Sequence, residues 1–239
     1  MILTMLRHLN LLTSFFVVSL LLIACDHEDP GPLQEAHKEF VITDFDQLEI
    51  GGAFNVEVDQ ASSFSISVVG DRRNIDDLDV YTLGNTLIIE FEDNRDRHHD
   101  TYISITMPVL KAVNFSGAGN SKIRGFETQD DVNLYLSGAS VSQVDADFDR
   151  INVVISGGSN LLLVGTANEL RGDISGASLL RGFDFPVRHA TIDISGASVG
   201  KLTVTDELNV TAGGASSVLY RGDPTVMANT SGASWVQKD

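Results

Sequence analysis

The chain has 239 residues, of which 33 are aspartate or glutamate and 16 are lysine or arginine, so its formal net charge at pH 7 is −17. A surface this acidic repels nucleic acid and anionic lipid headgroups, and we exclude nucleic acid as a partner. Cys25 is the only cysteine, so a disulfide is excluded. Because this one cysteine lies at the end of an apolar N-terminal run, no cysteine remains in the rest of the chain for thiol catalysis or for a cysteine-based metal site.

The first 24 residues have the composition of a signal peptide. Arg7 supplies a positive charge, and an apolar run follows from Leu9 to Ala24. The ending "LLIAC" resembles the bacterial lipobox, in which the cysteine is lipidated and becomes the mature N-terminus. This resemblance implies that Cys25 carries a lipid and binds a membrane through it. A secretory signal cleaved without lipidation and an uncleaved membrane anchor are the alternatives.

Residues 25–38 are predicted to form a flexible tether, since proline and glycine follow one another at 30–32. Three acidic residues directly after the cysteine resemble the export signal that sends lipoproteins of some Gram-negative bacteria to the cell surface: Asp26, Glu28 and Asp29. A solvated linker is the alternative interpretation. We therefore expect an outer-membrane lipoprotein that lies at the cell surface or faces the periplasm.

Residues 39–239 are predicted to form one domain, and its first part, 39–110, is less regular than the rest. Alternating or short apolar runs indicate strands at 48–58, 64–70, 86–91 and 101–108. We interpret 39–110 as N-terminal turns and a cap of the repeat structure that follows, because terminal repeats are expected to be atypical. A separate small β-domain is the alternative.

The loop "EDNRDRHHD" at 92–100 is a candidate metal site. It contains five residues with suitable side chains: Asp93, Asp96, His98, His99 and Asp100. However, adjacent histidines on a strand point to opposite faces, and the stretch lacks any recognised ligand spacing. We predict a solvated hairpin loop, with no metal ion and no other cofactor.

From residue 111 to 239, a glycine followed by a small residue recurs with a period near 19. At spacings of 21, 19, 19, 20, 18 and 18, these glycines are Gly117, Gly138, Gly157, Gly176, Gly196, Gly214 and Gly232. The residues before each glycine alternate between apolar and polar, which is typical of a strand with one buried face. A second set of glycines predicts another corner in each repeat: Gly125, Gly165, Gly222 and, two residues early, Gly182.

This pattern predicts an all-β fold, a parallel β-helix with a rung of about 19 residues and its "SGAS" sequences at the corners. Glycine allows the backbone to turn. We expect the alanine to point into a tight interior, and the serines to form hydrogen-bonded ladders with the same residue one rung above. Rungs about 4.8 Å apart would align like residues in columns.

Several of these stretches resemble one protein family. "NLYLSGAS", "NVVISGGS", "TIDISGAS" and "SVLYRGDP" are similar to sequences of the putative auto-transporter adhesin, head GIN domain family, and the similarity covers about residues 40–236. Gly213 in place of serine and the "YRGDP" sequence are departures, and neither affects the predicted fold. The resemblance implies a right-handed parallel β-helix in a single-domain secreted lipoprotein of Bacteroidetes-type bacteria.

Polar residues at outward positions of the predicted strands form the candidate binding face: Asn133, Asn152, Arg171, Asp173, Thr191, Asp193 and Asn209. Asp173 and Asp193 fall at the same place on consecutive rungs, near Glu169, His189 and Glu207. Paired carboxylates near a histidine are able to bind Ca²⁺ or to divide acid and base roles in glycan cleavage. Alternatively, Arg171 simply neutralises an exposed polar face.

Two "RGD" tripeptides, at 171–173 and 221–223, are not expected to bind a receptor, because the first lies in a predicted strand and the second at a corner. Aromatic platforms for sugar rings are few: Tyr135, Tyr220 and Trp235. We expect a non-enzymatic envelope lipoprotein, an adhesin that binds a glycan or another envelope component. A polysaccharide lyase or hydrolase on a β-helix scaffold and a purely structural spacer are the alternatives.

Overall fold

The computed structural model describes residues 31–93, 95–127 and 129–239. The predicted signal peptide, Cys25 and the acidic residues that follow it lie outside the described residues. Residues from Leu33 to Asp239 form one compact unit. Within the described residues, no helix is long and apolar enough to cross a membrane.

Strands account for nearly all of the regular structure, because apolar and polar residues alternate along most of the chain. The N-terminal part contains β1 (Glu35–Phe40), β2 (Gln47–Gly51), β3 (Phe54–Gln60), β4 (Ser65–Asp71), the short helix α1 (Arg72–Ile75), β5 (Leu78–Leu83), β6 (Thr86–Phe91), β7 (Thr101–Met107), β8 (Ala112–Ser116) and β9 (Asn120–Arg124). The remainder contains β10 (Gln129–Leu136), β11 (Val141–Ile155), β12 (Asn160–Ile174), β13 (Leu179–Ile194), β14 (Val199–Ala212), β15 (Ser217–Arg221), β16 (Thr225–Thr230) and β17 (Trp235–Lys238).

Each rung has two walls that meet at a glycine corner. The first wall contains the segments before the corners: β6, β2, β8, β10, the second halves of β11 to β14, and β16. The second wall contains the segments after the corners: β7, β3, β9, the first halves of β11 to β14, β15 and β17.

Neighbouring rungs pair in parallel at the predicted offsets. Val153 lies beside Gly172, 19 positions on, and Leu208 lies beside Val226, 18 positions on. The predicted parallel β-helix is therefore confirmed, as a β-solenoid of about seven turns.

The core is a set of apolar columns between the two walls. Ile155, Ile174 and Ile194 stack on consecutive rungs, and each is at most 2% exposed. Complete burial of an isoleucine side chain contributes roughly 1.5–3 kcal/mol. The repetition of such columns, rather than a single central cluster, holds successive rungs together.

The N-terminal rungs do not stack in chain order, contrary to the prediction of a simple coil of successive strands. β2 lies between β6 and β8 on the first wall, and β3 lies between β7 and β9 on the second. The rung closest to the N-terminus in sequence is thus an interior rung. Its apolar residues Leu48, Ile50 and Val58 are buried as a result, because a neighbouring rung covers this rung on each side.

Antiparallel strands cover the N-terminal end of the solenoid. β5 pairs with β6 on the first wall, while β4 pairs with β7 on the second and β1 pairs with β4. Residues 39–110 therefore share one continuous sheet with the repeats. The tether was predicted to extend to residue 38, but β1 begins at Glu35, so the last four of those residues belong to the sheet.

The corners turn at glycine, as predicted, but the alanine after the glycine points outward and the second serine points inward. All seven corner glycines have positive φ, for example +73° at Gly157. Ala177 is exposed, whereas Ser178 at the end of the same "SGAS" is buried, so the prediction that alanine fills the interior is wrong. A left-handed residue interrupts the strand alternation and places the second serine inside.

Stacking at the corners depends on the backbone more than on serine ladders. The Ala177 amide donates to the Gly157 carbonyl one rung below at 2.8 Å. The Ser178 hydroxyl instead donates within its own corner, to the Ser175 carbonyl at 2.8 Å. Of the second glycine set, Gly182 differs from the others because it lacks a positive φ and lies within β13.

Candidate functional site

The structure brings the predicted binding face together on the first wall. Asn133, Asn152, Arg171, Thr191 and Asn209 form one outward column, each paired in register with the next. Asp173 and Asp193 are direct neighbours in the adjacent column, and both are exposed. The spatial arrangement of these residues therefore agrees with the alternation in the sequence.

Most polar groups of this face bond to one another. Asn152 Nδ2 donates to Asn133 Oδ1 at 3.0 Å, and Asn209 Nδ2 donates to Glu207 Oε1 at 2.7 Å. Glu169 accepts from Arg150 at 2.8 Å and from Arg171 at 2.6 Å. These two hydrogen bonds, the one from Arg150 foremost, lower the pKa of the Glu169 carboxyl. Four of the seven residues of this face thus bond to another side chain, whereas Asp173, Thr191 and Asp193 make no side-chain hydrogen bond or ion pair with a described residue.

The two aspartates do not form a recognisable ion site. Arg171 bonds to Glu169 rather than to Asp173 or Asp193, so it neutralises a different carboxylate on the same face. Among the described residues, no group of three or more histidine, cysteine or acidic side chains is arranged to hold a metal ion.

The loop at 92–100 attaches to the N-terminal cap. The Arg97 guanidinium pairs with Asp77 and lies 3.5 Å from the centre of the Phe91 ring. Arg95 Nη2 donates to the Arg73 carbonyl at 2.7 Å. The half-buried His99 has its Nε2 3.9 Å from Oδ2 of the buried Asp71. The loop side chains thus contact the cap, and the loop is not purely solvated.

The remaining sequence candidates occupy separate places. Gly172 of the first "RGD" is buried within β12, and the second tripeptide is involved in ion pairs, Arg221 with Asp239 and Asp223 with Lys238. Among the aromatic candidates, Tyr135 is 44% exposed and Trp235 is 43% exposed. They lie on different walls, so they form no shared platform.

A long groove lies on the second wall, where no binding residue was predicted. It has a volume of about 620 Å³ and extends over six neighbouring strands: β7, β3, β9, β11, β12 and β13. At a strand spacing of about 4.8 Å, its length is about 24 Å.

Two outward columns line this groove. The tyrosine column contains Tyr102, Asn55, Asn120, Val141 and Asn160. The cation column contains Ser104, Glu57, Lys122, Gln143, Leu162 and Arg181, and Lys201 continues it on β14.

Few of these groove side chains are bonded to each other, in contrast with the first wall. Asn120 Nδ2 donates to Asn55 Oδ1 at 3.0 Å, and Glu57 accepts from Arg124 at 3.0 Å. Lys122, Gln143, Asn160 and Arg181 make no side-chain hydrogen bond or ion pair to another described residue. The groove therefore has polar groups free to bind a ligand.

Sequence reasoning missed this groove because it depends on the rung order. β3, which belongs to the inserted N-terminal rung formed by β2 and β3, lies between the end strand β7 and β9 and so joins β7 to the rest of the groove. The outward positions after each "SGAS" corner, such as Lys122 and Gln143, were the available signal, and they alternate with buried residues as the groove requires.

The described residues thus form a parallel β-solenoid with a long polar groove on one wall. Residues 44–224 match the family model described as putative auto-transporter adhesin, head GIN domain. The chain belongs to this family. A search of curated proteins gave no match.

Solved structures support the fold. A putative adhesin from Bacteroides fragilis NCTC 9343 has a TM-score of 0.77 and 18% identity, over 86% of this chain and 97% of that one. A putative adhesin from Parabacteroides distasonis ATCC 8503 has a TM-score of 0.72 and 18% identity, over 87% and 98%. A putative lipid binding protein from the same P. distasonis strain has a TM-score of 0.66 and 19% identity, over 86% and 96%.

Proposed function

We propose that this protein is a non-enzymatic adhesin of the cell envelope that holds an extended glycan strand in the second-wall groove. The observation that carries the proposal is a groove crossing six strands with unpaired polar side chains along it. A glycan presents hydroxyl groups at regular intervals, and binding it requires donors and acceptors at several positions. Tyr102, which is 52% exposed, adds an apolar ring at one end of the groove.

The first-wall face is the less suitable location for the same ligand. The amides of Asn133 and Asn152, and the charged groups of Arg171 and Glu169, already bond within the protein. A glycan would have to break these bonds before forming its own, which reduces the net gain from each contact.

Matched variants distinguish the two walls. Gln143→Ala with Asn160→Ala removes free polar groups from the groove, and Asn133→Ala with Asn152→Ala removes a bonded pair from the first wall. On glycan arrays and in titrations with the glycans that bind, we expect the groove variant to weaken binding and the first-wall variant to retain it. The reverse result would transfer the site to the first wall, and absence of binding by the wild-type protein would overturn the proposal.

A hydrophobic ligand is the second candidate for the groove. Val141 is 46% exposed and Leu162 is half-buried, and one structurally similar protein is described as a putative lipid binding protein. The test is the binding of a fluorescent fatty acid to the protein. Binding that is abolished by Val141→Asp and Leu162→Asp but unaffected by added glycan would favour this candidate.

We further propose that Cys25 carries the lipid that anchors the protein to the outer membrane. The support is the "LLIAC" sequence and the acidic residues that follow it. Metabolic labelling with a fatty acid should mark the wild-type protein and leave Cys25→Ser unlabelled. Protease digestion of intact cells then separates a surface location, where the domain is lost, from a periplasmic one, where it survives until lysis.

A further inference from the structure

The cation column points to the kind of glycan that the groove binds. Resting on the proposed function, we infer that the groove selects an acidic polysaccharide whose carboxylate groups contact Lys122, Arg181 and Lys201. These three residues lie on one outward column, Lys122 on β9, Arg181 on β13 and Lys201 on β14. The inference concerns ligand class, which neither the family nor the similar structures specify.

The charges of this column are exceptional within the protein. Fifteen of the lysines and arginines lie in the described residues, and ten of them form an ion pair with an aspartate or glutamate. Five do not, and three of these five are Lys122, Arg181 and Lys201. In a chain with 33 acidic residues, three of the five unpaired cations thus lie in the cation column, with Lys122 and Arg181 in the groove and Lys201 one rung beyond it.

The carboxylates near the cation column do not pair with its positive charges. Glu57, the acidic member of the column, accepts a hydrogen bond from Arg124 at 3.0 Å, and Arg124 also binds Asp59 at 2.9 Å. Asp145 and Asp184 lie in the next column along the strands, about 7 Å away. Neither forms an ion pair with the cations of the groove.

The spacing of the cations matches a charged chain lying across the strands. Arg181 and Lys201 are on adjacent rungs, about 5 Å apart along the stack, and Lys122 is three rungs from Arg181, about 14 Å away. The net negative charge of the whole protein acts weakly on a bound anion, because salt screens charges beyond about 8 Å at physiological ionic strength. Direct contacts in the groove therefore determine the sign of charge that it accepts.

The test compares polygalacturonate oligomers with the same oligomers methyl-esterified, so that only the carboxylate charge differs. Both are titrated into the wild-type protein and into Lys122→Gln/Arg181→Gln/Lys201→Gln by calorimetry. A charge-retaining variant, Lys122→Arg/Arg181→Lys/Lys201→Arg, and Lys38→Gln, a cation without an ion pair on β1, serve as controls. Thermal unfolding checks that each variant is folded.

We expect the glutamine variant to lose at least about tenfold in affinity for polygalacturonate, equivalent to about 1.4 kcal/mol, and both controls to keep wild-type affinity within about threefold. Wild-type affinity for the uncharged ester should already be weaker and insensitive to salt. Equal binding of both oligomers, or polygalacturonate binding unchanged in the glutamine variant, would overturn the inference while leaving glycan binding intact. If the wild-type protein binds neutral glycans but no acidic one, the inference also fails and the proposed function stands.

Discussion

At the scale of single residues, the corner glycine satisfies two requirements together. Gly157 has a φ of +73°, and a methyl group on its Cα would overlap the carbonyl oxygen of Gly138 on the rung below. The following position has neither constraint, because Gly158 would place a methyl group 3.9 Å from that oxygen. The order of the letters in "SGAS" therefore follows from the stacking distance as well as from the turn.

Gly157→Ala should lower the free energy of unfolding by at least about 2 kcal/mol, from the left-handed conformation and the backbone overlap together. Gly158→Ala, the adjacent substitution, should change it by less than about 0.5 kcal/mol. Urea unfolding of the two variants measures both values. Similar destabilisation by the two substitutions would contradict the assigned role of the corner.

A second prediction at this scale concerns Asp71, whose side chain is 1% exposed and accepts two hydrogen bonds from the Arg73 guanidinium at 2.7 Å. These bonds hold the pKa of the Asp71 carboxyl well below its ordinary value of 3.8. The carboxylate therefore stabilises the fold above that value, and the contribution is lost as the pH falls below it.

Asp71→Asn should lower the free energy of unfolding at pH 7 by about 2 kcal/mol and reduce the loss of stability between pH 4 and pH 2. Urea titrations at pH 7, 4 and 2 measure both effects. Asp76→Asn, an exposed neighbour on the same cap, should leave stability at pH 7 within about 0.5 kcal/mol. An unchanged acid dependence in Asp71→Asn would show that other carboxylates account for it.

At the scale of elements, the regular rungs could be predicted and the inserted rung could not. From β10 to β14, each strand pairs with the next in sequence, so glycine spacing predicts which rungs are neighbours. β2 pairs with β6 and β8, and no repeated motif marks partners so distant in sequence. The orientation of Ala177 and Ser178 was unpredictable for another reason, since it depends on how the left-handed glycine alters strand alternation.

Hydrogen exchange distinguishes the observed rung order from a coil in chain order. β3 is bonded on both sides, to β7 and β9, whereas β17 is bonded only to β15. Backbone amides of β3 should therefore exchange at least about tenfold more slowly than those of β17, because their opening requires disruption of the stack. Fast exchange across β2 and β3 would place them at an end instead.

At the scale of the whole molecule, the two walls have different properties although one repeat builds both. On the first wall, Asn133 and Asn152 bond to each other, and Arg171 and Asn209 bond to neighbouring carboxylates. The second wall leaves Lys122 and Arg181 unpaired next to a groove. The alternation in the sequence predicted which residues form each column. It did not show which polar side chains already bond within the protein, because that depends on side-chain hydrogen bonds between rungs.

Deletions test how the stack transmits stability. Removal of residues 44–60 would take out an interior rung and leave β7 and β9 without their shared partner. We expect this deletion to abolish cooperative thermal unfolding. Removal of residues 225–239, the last rung, should lower the midpoint but preserve a cooperative transition, since nearest-neighbour contacts dominate solenoid stability. A cooperative transition in the first deletion would contradict this account.

The inserted rung also determines when the protein can fold during its synthesis. β2 and β3 pair in parallel only with β6, β7, β8 and β9, so residues 31–85 contain no two parallel strands that could stack. Domains generally fold as units once the required chain has emerged. A complete pair of stacked rungs, β2 and β3 against β6 and β7, is therefore available only once residue 107 has been synthesised.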